Sequence, residues 1–316
     1  MKTIALSMVA VWVFLIALVP CGFPAKADNG TPFKEPGGAY IGEGSCIECH
    51  SLANEHWSQT RHAYVFRINP QNDVQTKTCE ACHGPGEAHA EKPDDPSLIR
   101  SFRRDSRQPV RQQNGACLQC HRGRGQMLWD SSIHAVRDVA CSDCHNPMAR
   151  FSRQGLLRTA GISPTCLECH KRERLEFRKR SHMPLPEGKL SCVDCHNPHG
   201  ANTSPLLKAD STNQVCYRCH AEKRGPFLWE HAPVRQNCIN CHFPHGSNHE
   251  KLLNVVRPFL CQQCHHQLGH PNDLLTRGNL PGRTVLPDTR LINRSCLNCH
   301  AKIHGSNHPS GVRFHR

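Results

Sequence analysis

The chain has 316 residues, 21 cysteines, 24 histidines and a formal net charge of +13. Its length would allow about two domains, but the 37% of apolar residues includes the cysteines and leaves too little for two conventional hydrophobic cores. A basic charge is typical of nucleic-acid-binding proteins. That class applies only if the positive charge is not neutralised by negative groups within the molecule itself.

The N-terminal segment has the pattern of a secretory signal peptide. A lysine is followed by an apolar run over 4–19, and Ala25-Lys26-Ala27 then provides a small-residue cleavage site. We predict that residues 1–27 are a cleaved signal peptide. Two alternatives are a lipid on Cys21 and retention of the apolar run as a membrane anchor. No later apolar run approaches the roughly 18 residues that a membrane-spanning helix requires.

Ten copies of Cys-x-x-Cys-His follow, here numbered motifs 1 to 10 in chain order, and the first is Cys46-Ile47-Glu48-Cys49-His50. This motif is the attachment signature of a c-type haem, in which two thiols bind one porphyrin and the adjacent histidine ligates the iron. A zinc site, a thioredoxin-like site or a disulfide framework would not repeat one spacing ten times. The sequence therefore predicts ten covalently bound haem c groups. The predicted attachment residues are Cys46, Cys49, Cys79, Cys82, Cys117, Cys120, Cys141, Cys144, Cys166, Cys169, Cys192, Cys195, Cys216, Cys219, Cys238, Cys241, Cys261, Cys264, Cys296 and Cys299. The predicted proximal iron ligands are His50, His83, His121, His145, His170, His196, His220, His242, His265 and His300.

The haems account for the positive charge. Cleavage of the signal peptide removes two lysines and no acid, which lowers the formal charge from +13 to +11. Each ferric haem with two ionised propionates is formally −1, so ten haems reduce the total to about +1, and arginine is well suited to pair with their carboxylates. Most basic residues are therefore counter-charges for propionates, and nucleic acid is excluded as a partner.

The motifs alternate between two kinds of repeat unit. In the first kind, an aromatic residue precedes a histidine, as Trp57 precedes His62. In the second, a histidine follows the motif closely, as in Pro198-His199-Gly200, and a Leu-Leu pair comes next. The predicted fold class is a multihaem cytochrome c, an extended haem-stacked array of short α-helices and loops with almost no β-sheet. We predict an N-terminal pentahaem half over 28–185 and a C-terminal pentahaem half over 186–316, with a soft boundary in a continuous array.

The second axial ligand of each iron decides between electron transfer and catalysis, because an iron with two protein ligands offers substrate no site. The tenth distal position is irregular: Met148 follows Asn146-Pro147 where later copies have histidine, and it either ligates iron or packs on a porphyrin edge. A histidine directly behind its own proximal histidine is predicted to serve a neighbouring iron. The nine predicted distal ligands are His62, His89, His134, His182, His199, His231, His245, His270 and His304. The other candidates for the tenth are His249 and His308, which share a His-Gly-Ser-Asn-His repeat, and then His56, His266 and His315.

Several segments resemble the MtrA/MtoA/PioA/DmsE family of decahaem cytochromes, and they cover the mature chain from end to end: 82–89, 181–184, 216–234, 261–265 and 304–308. The resemblance implies a periplasmic electron-transfer protein, not an enzyme, that is inserted into an outer-membrane β-barrel porin. It implies that electrons pass between periplasmic carriers and extracellular donors or acceptors, by Fe(II) oxidation or by reduction of Fe(III) and other metals. It also implies that histidines are the axial ligands of all ten irons, and Met148 is the position at which this sequence departs from that pattern.

The resemblance implies three kinds of partner: the porin, a periplasmic cytochrome or an inner-membrane quinone-linked cytochrome, and, as a further candidate, an outer-surface multihaem cytochrome. Physical reasoning agrees, because a polar, charged chain cannot face lipid without a protein sheath, while ten haems end to end can exceed the hydrocarbon thickness of about 30 Å. Two alternatives remain. One is a soluble periplasmic carrier that feeds a terminal reductase, and the other is a multihaem oxidoreductase with an open haem.

Overall fold

The structure is a computed structural model that describes residues 37–106, 108–265 and 296–315. These residues belong to one compact unit that spans 35–316. The predicted signal peptide and two predicted or candidate ligands, His266 and His270, lie outside the described residues. The boundary between the two pentahaem halves stays a prediction.

Short helices joined by turns make up the described chain, which confirms the predicted fold class. The β-pairing found in these ranges consists of isolated bridges, and none of the described helices is long and apolar enough to cross a bilayer. The α-helices are α1 Gly42–Cys49, α2 Ser51–Ser58, α3 Arg61–Ala63, α4 Asp73–Thr76, α5 Glu80–His83, α6 Glu87–Glu91, α7 Val110–Leu118, α8 Ile133–Val136, α9 Cys141–Cys144, α10 Ile162–Leu167, α11 Lys171–Glu176, α12 Cys192–Cys195, α13 Thr212–Tyr217, α14 Ala232–Gln236 and α15 Phe259–Gln262. A π-helix covers Tyr64–Ile68, and 3₁₀ helices cover Pro96–Leu98, Arg124–Gln126, Trp129–Ser131, Ala221–Lys223, Cys238–Asn240, Glu250–Leu252, Cys296–Asn298 and Gly311–Arg313.

Each of the ten motifs forms a single helical turn. The backbone N–H of the motif histidine donates to the carbonyl of the first motif cysteine, four residues earlier, with N···O distances of 2.9–3.1 Å. Residues three apart on such a turn lie on the same face. The turn therefore presents both thiols of a motif to the same side and places the histidine directly after them, as attachment to one porphyrin edge requires.

After motifs 4, 6 and 8 the chain turns back to the motif it has just left. We call the segments 146–158, 197–208 and 243–254 the return loops. In each return loop the second leucine of the Leu-Leu pair forms an antiparallel bridge with the proximal histidine, and the first leucine has a left-handed backbone conformation. The bridges are His145 with Leu157, His196 with Leu207 and His242 with Leu253, and φ is +47° at Leu156, +59° at Leu206 and +59° at Leu252.

A buried asparagine joins the two motifs of a pair. Asn213 lies three residues before Cys216 and is 7% exposed. Its Oδ1 accepts the backbone N–H of Cys238 at 2.7 Å, and its Nδ2 donates to two carbonyls of α14 at 2.9 and 3.0 Å. Asn114 accepts the N–H of Cys141 in the same way, also at 2.7 Å. The side chain of one motif's helix thus fixes the start of the next motif.

Replacing Asn213 by alanine should destabilise the haem-loaded protein. The substitution leaves a backbone N–H and two carbonyls without their partner, and an unsatisfied buried polar group costs about 1–3 kcal/mol. Chemical or thermal unfolding of the holoprotein measures the change. The matched control is Asn202→Ala, at an exposed position, where we expect a change within about 0.5 kcal/mol. Equal changes in the two variants would contradict the role given to Asn213.

Apolar side chains form little of the interior. Five of the eleven buried hydrophobic residues in the described ranges are alanines, and no large side chain there is fully enclosed. Trp57, Trp129 and Phe177 are the buried aromatic residues of the described ranges, and each precedes a histidine of the first kind of unit. The polypeptide on its own therefore has only a small hydrophobic core, as the composition predicts.

Candidate haem sites

Motifs 5 to 10 line one continuous cavity of about 3800 Å³. Its walls include cysteines from each of these six motifs and all six of their proximal histidines. A pocket for one small molecule or cofactor measures about 300–1,000 Å³. The cavity therefore has room for several haems side by side, next to the residues that attach them.

The thiols of paired motifs touch. A hydrogen bond from Cys166 lowers the pKa of Cys192 to about 7, and one from Cys216 lowers the pKa of Cys238 to about 7. In haem c these sulfurs are thioethers and do not titrate, so the contacts matter as short distances between attachment points. The two haems of such a pair would therefore be attached at adjacent points.

Successive pairs also adjoin each other. Burial, followed by the charge of the neighbouring Cys117, raises the pKa of Cys82 to about 11. Burial, together with the charge of a thiol in the following motif, also raises the pKa of the second cysteine in motifs 4, 6 and 8. The attachment sites therefore follow one another in space in the order of the sequence. The thiols of consecutive motifs interact by a hydrogen bond within a pair of motifs and by charge alone between successive pairs: Cys46 with Cys79, Cys82 with Cys117, Cys117 with Cys141, Cys144 with Cys169, Cys166 with Cys192, Cys195 with Cys216, Cys216 with Cys238, Cys241 with Cys264 and Cys261 with Cys296.

Seven proximal histidines lie beside a second histidine ring, with centroids 5.9–6.3 Å apart. A metal–imidazole bond is about 2 Å long and the ring centre lies roughly 1 Å behind the nitrogen, so two rings on opposite sides of one metal have centroids about 6 Å apart. The spacing fits one iron between the two rings. The pairs are His50 with His89, His121 with His62, His145 with His199, His170 with His134, His196 with His245, His242 with His304 and His265 with His231.

The pairs follow a regular order along the chain. A histidine of the first kind of unit reaches forward two motifs, as His134 after motif 3 lies beside His170 of motif 5. A histidine of the second kind reaches back two motifs, as His199 after motif 6 lies beside His145 of motif 4. At the N-terminal end, His89 after motif 2 lies beside His50 of motif 1. Each site is thus built from two segments that are well separated in sequence.

Burial keeps the second histidine of several pairs neutral. Burial is the main cause that lowers the pKa of the ring, and the charge of neighbouring groups adds to it. The neutral imidazole is the form that ligates a metal, so the electrostatics favour ligation. The histidines with a pKa lowered in this way are His62, His199, His231, His245 and His304, the last to about 4.

Backbone carbonyls orient the proximal histidines of the even-numbered motifs. Each of these rings hydrogen bonds through Nδ1 to a carbonyl, which leaves Nε2 free to ligate an iron and would raise its basicity as a ligand. These acceptors are not evident from motif spacing. The Leu-Leu pair is the signal that could have found them, because in each return loop the acceptor directly precedes it. The contacts are His83 with Arg100 at 2.8 Å, His145 with Gly155 at 2.6 Å, His196 with Pro205 at 2.8 Å, His242 with Lys251 at 2.8 Å and His300 with Arg313 at 2.5 Å.

His182 does not lie beside a proximal histidine. Its Nδ1 is 2.7 Å from the carbonyl of Lys179, and its Nε2 is 3.0 Å from Oε1 of Glu187, which raises the pKa of the ring. The order of the other pairs would assign it to His220. In the earlier copies, Thr60 and Ser132 cap a short helix that carries the predicted distal histidine; here the equivalent residue is Arg180. Ligation by His182 stays a prediction.

Three described candidates for the tenth ligand lie in the C-terminal part. The ring of His315 is 5.0 Å from that of His300, with an interplanar angle of 52°. The N–H groups of His249 and His308 each bond to a serine hydroxyl at 3.0 Å in the His-Gly-Ser-Asn-His turns. The fourth candidate, His56, is exposed on α2.

Comparisons with known proteins agree with these sites. Residues 134–175, 182–225 and 231–270 match the doubled CXXCH motif family, and residues 79–154 match the cytochrome c-type protein NrfB-like family. The multiheme cytochrome MtrA of Shewanella baltica (strain OS185) is 40% identical over 275 residues, which are 87% of this chain and 81% of that protein. Covalently bound haem c and a role in electron transfer rather than catalysis follow from this similarity. The chain belongs to the MtrA family of multihaem c-type cytochromes.

Proposed function

We propose that this protein is a decahaem conduit that carries electrons across the outer membrane inside a β-barrel porin. It connects periplasmic carriers with extracellular Fe(II) as donor, or with Fe(III) and other oxidised metals as acceptors. The observation that carries the proposal is the unbroken succession of attachment sites, in which each motif adjoins the next from motif 1 to motif 10. When bound, haem c supplies reversible one-electron exchange at its iron.

The surface of the chain requires a sheath if it is to cross a membrane. The side chains of Arg103, Arg172 and Arg180 are 80%, 83% and 74% exposed. Charges of this kind are costly against lipid, whereas the interior of an outer-membrane barrel is polar. A porin would therefore face the charged surface with a wall of matching polarity.

The ends of the array define where partners act. The predicted signal peptide over 1–27 directs the mature chain to the periplasm, where a periplasmic cytochrome or an inner-membrane quinone-linked cytochrome exchanges electrons with one terminal site. At the other end an outer-surface multihaem cytochrome, or the metal itself, is the exchange partner.

The test is to extract membranes that contain an affinity-tagged chain with detergent and to analyse what co-purifies. We expect a stoichiometric β-barrel protein, and we expect intact mass spectrometry to find ten haems on the chain. The purified complex, placed in liposomes that enclose a redox dye, should reduce the dye from an external electron donor. Release of the chain from the periplasm without detergent, free of any barrel, would favour the soluble carrier and overturn the proposal.

A further inference from the structure

Three return loops have the same local structure, but one of them carries methionine in place of histidine. The N–H of Met148 donates to Oδ1 of Asn146 at 3.0 Å, and the N–H of His199 donates to Oδ1 of Asn197 at 3.2 Å. Both loops then bridge to their proximal histidine through the second leucine of the pair. Met148 therefore occupies the position in its turn that His199 occupies in the next copy.

The residue at this position serves the motif two places earlier. After motif 6, the ring centroid of His199 lies 5.9 Å from that of His145 of motif 4. After motif 8, the ring centroid of His245 lies 6.2 Å from that of His196 of motif 6. After motif 10, His304 lies 6.3 Å from His242 of motif 8 in the same way. Met148 follows motif 4, so the same order directs it to motif 2.

The surroundings of His83, the proximal histidine of motif 2, agree with this assignment. Its Nδ1 is held by the carbonyl of Arg100, and its ring packs against that of Phe102, with the two centroids 5.3 Å apart. The same segment reaches motif 4 through Arg104, whose guanidinium donates to the carboxylate and the carbonyl of Asp143 at 2.9 and 3.0 Å. Motif 4, which directly precedes the Met148 return loop, is thus tied to the segment that holds His83.

We propose that Met148 is the distal ligand of the iron that His83 binds, so that the haem of motif 2 has histidine–methionine coordination. This inference rests on the haem array of the proposed function. A thioether ligand raises the reduction potential of a haem relative to two imidazoles. The second site of the array would therefore have a higher potential than sites with paired histidines.

The adjacent residue departs from the pattern as well. A Cβ on Gly200 would lie 2.4 Å from the carbonyl oxygen of Leu128, so the later loop requires glycine there. Ala149 takes that place after Met148 and is 8% exposed. Ala149 is therefore packed against the protein despite its extra methyl group, and Met148 beside it is half-buried.

The test compares the ferric holoprotein with Met148→His and Met148→Leu by near-infrared magnetic circular dichroism, electron paramagnetic resonance and redox titration. We expect one of ten haems to have the methionine–histidine signature. Met148→His should convert it to a bis-histidine haem of lower potential, and Met148→Leu should produce one high-spin haem. The matched control is Met127→Leu, at an exposed methionine, which should leave the spectra unchanged.

Three outcomes would overturn the inference: ten bis-histidine haems in the unaltered protein, a methionine signature that survives Met148→Leu, or loss of one bis-histidine haem in His56→Ala with none of the expected changes at Met148. The iron is identified by Cys79→Ala/Cys82→Ala, which should remove one haem together with the methionine signature. Where that variant does not fold, a cryo-electron microscopy map of the holoprotein measures the distance from Sδ of Met148 to the iron of motif 2. Ten haems that are all bis-histidine would contradict the inference and leave the conduit standing, whereas fewer than ten haems would contradict the conduit.

Discussion

Without haem, the polypeptide is expected to remain unfolded. The buried hydrophobic residues in the described ranges are few and nearly half are alanines, so the chain on its own removes little apolar surface from water. The seven histidine pairs would lack the iron that their ring spacing accommodates, and the large cavity along motifs 5 to 10 would fill with water. Where a bound group completes the interior, its binding free energy is also folding free energy.

Expression with and without the haem-attachment machinery tests this expectation. We expect the haem-free chain to have a disordered far-ultraviolet circular dichroism spectrum, to unfold without a cooperative transition and to be digested quickly by protease. The control is the same chain matured with haem, which should resist protease and unfold cooperatively. A haem-free chain with native-like protection would show that the polypeptide core is sufficient.

Removing one central haem should stop electron transfer through the complex. In Cys192→Ala/Cys195→Ala, motif 6 can attach no haem, while motifs 5 and 7 keep their own attachment cysteines. The described thiol interactions link each site to the next in the sequence order, and none of them bridges motifs 5 and 7 directly. Dye reduction in liposomes should fall to the rate of membranes that lack the cytochrome.

Two measurements separate this effect from misfolding. Mass spectrometry should find one haem fewer than in the unaltered protein, and electron paramagnetic resonance should show that the remaining haems outside the immediate neighbourhood keep their low-spin state. Asn202→Ala provides a control variant with an altered exposed residue in the following return loop and with all attachment sites present. Unchanged dye reduction by the Cys192→Ala/Cys195→Ala variant would contradict a single linear path of electrons from site to site.

The sequence predicts the local structure of the sites well, because the motif itself encodes it. Two cysteines and a histidine at this spacing form one helical turn in all ten copies, and the composition predicts a thin polypeptide core. The repeat positions also identify distal candidates such as His62 and His199. What spacing does not reveal is the partner of each ring, because partners come from segments far apart in the chain. The pairing of His199 with His145, rather than with its neighbour His196, depends on contacts between loops.

Other details depend on single residues whose effect is visible only in three dimensions. Glu187 draws the ring of His182 into a hydrogen bond, which no repeat pattern indicates. The Leu-Leu pairs are evident in the sequence, but their function is a left-handed turn that brings a carbonyl to the proximal histidine. Met148 is the reverse case, since the sequence marks it as irregular and the order of the other pairs suggests which site it completes.

The direction in which each pair forms has a consequence for biogenesis. For motifs 3, 5 and 9 the partner ring lies earlier in the chain than the motif, as His134 precedes His170; for motifs 4, 6 and 8 it lies later, as His199 follows His145. A polypeptide that is exported N-terminus first therefore brings the partners of motifs 3, 5 and 9 into the periplasm ahead of the motifs themselves. Motifs 4, 6 and 8 gain their partner rings only after later residues have been exported. Assembly would then alternate between two steps: a unit of the first kind supplies a ligand for a motif still to be exported, and a unit of the second kind completes a motif that has already arrived.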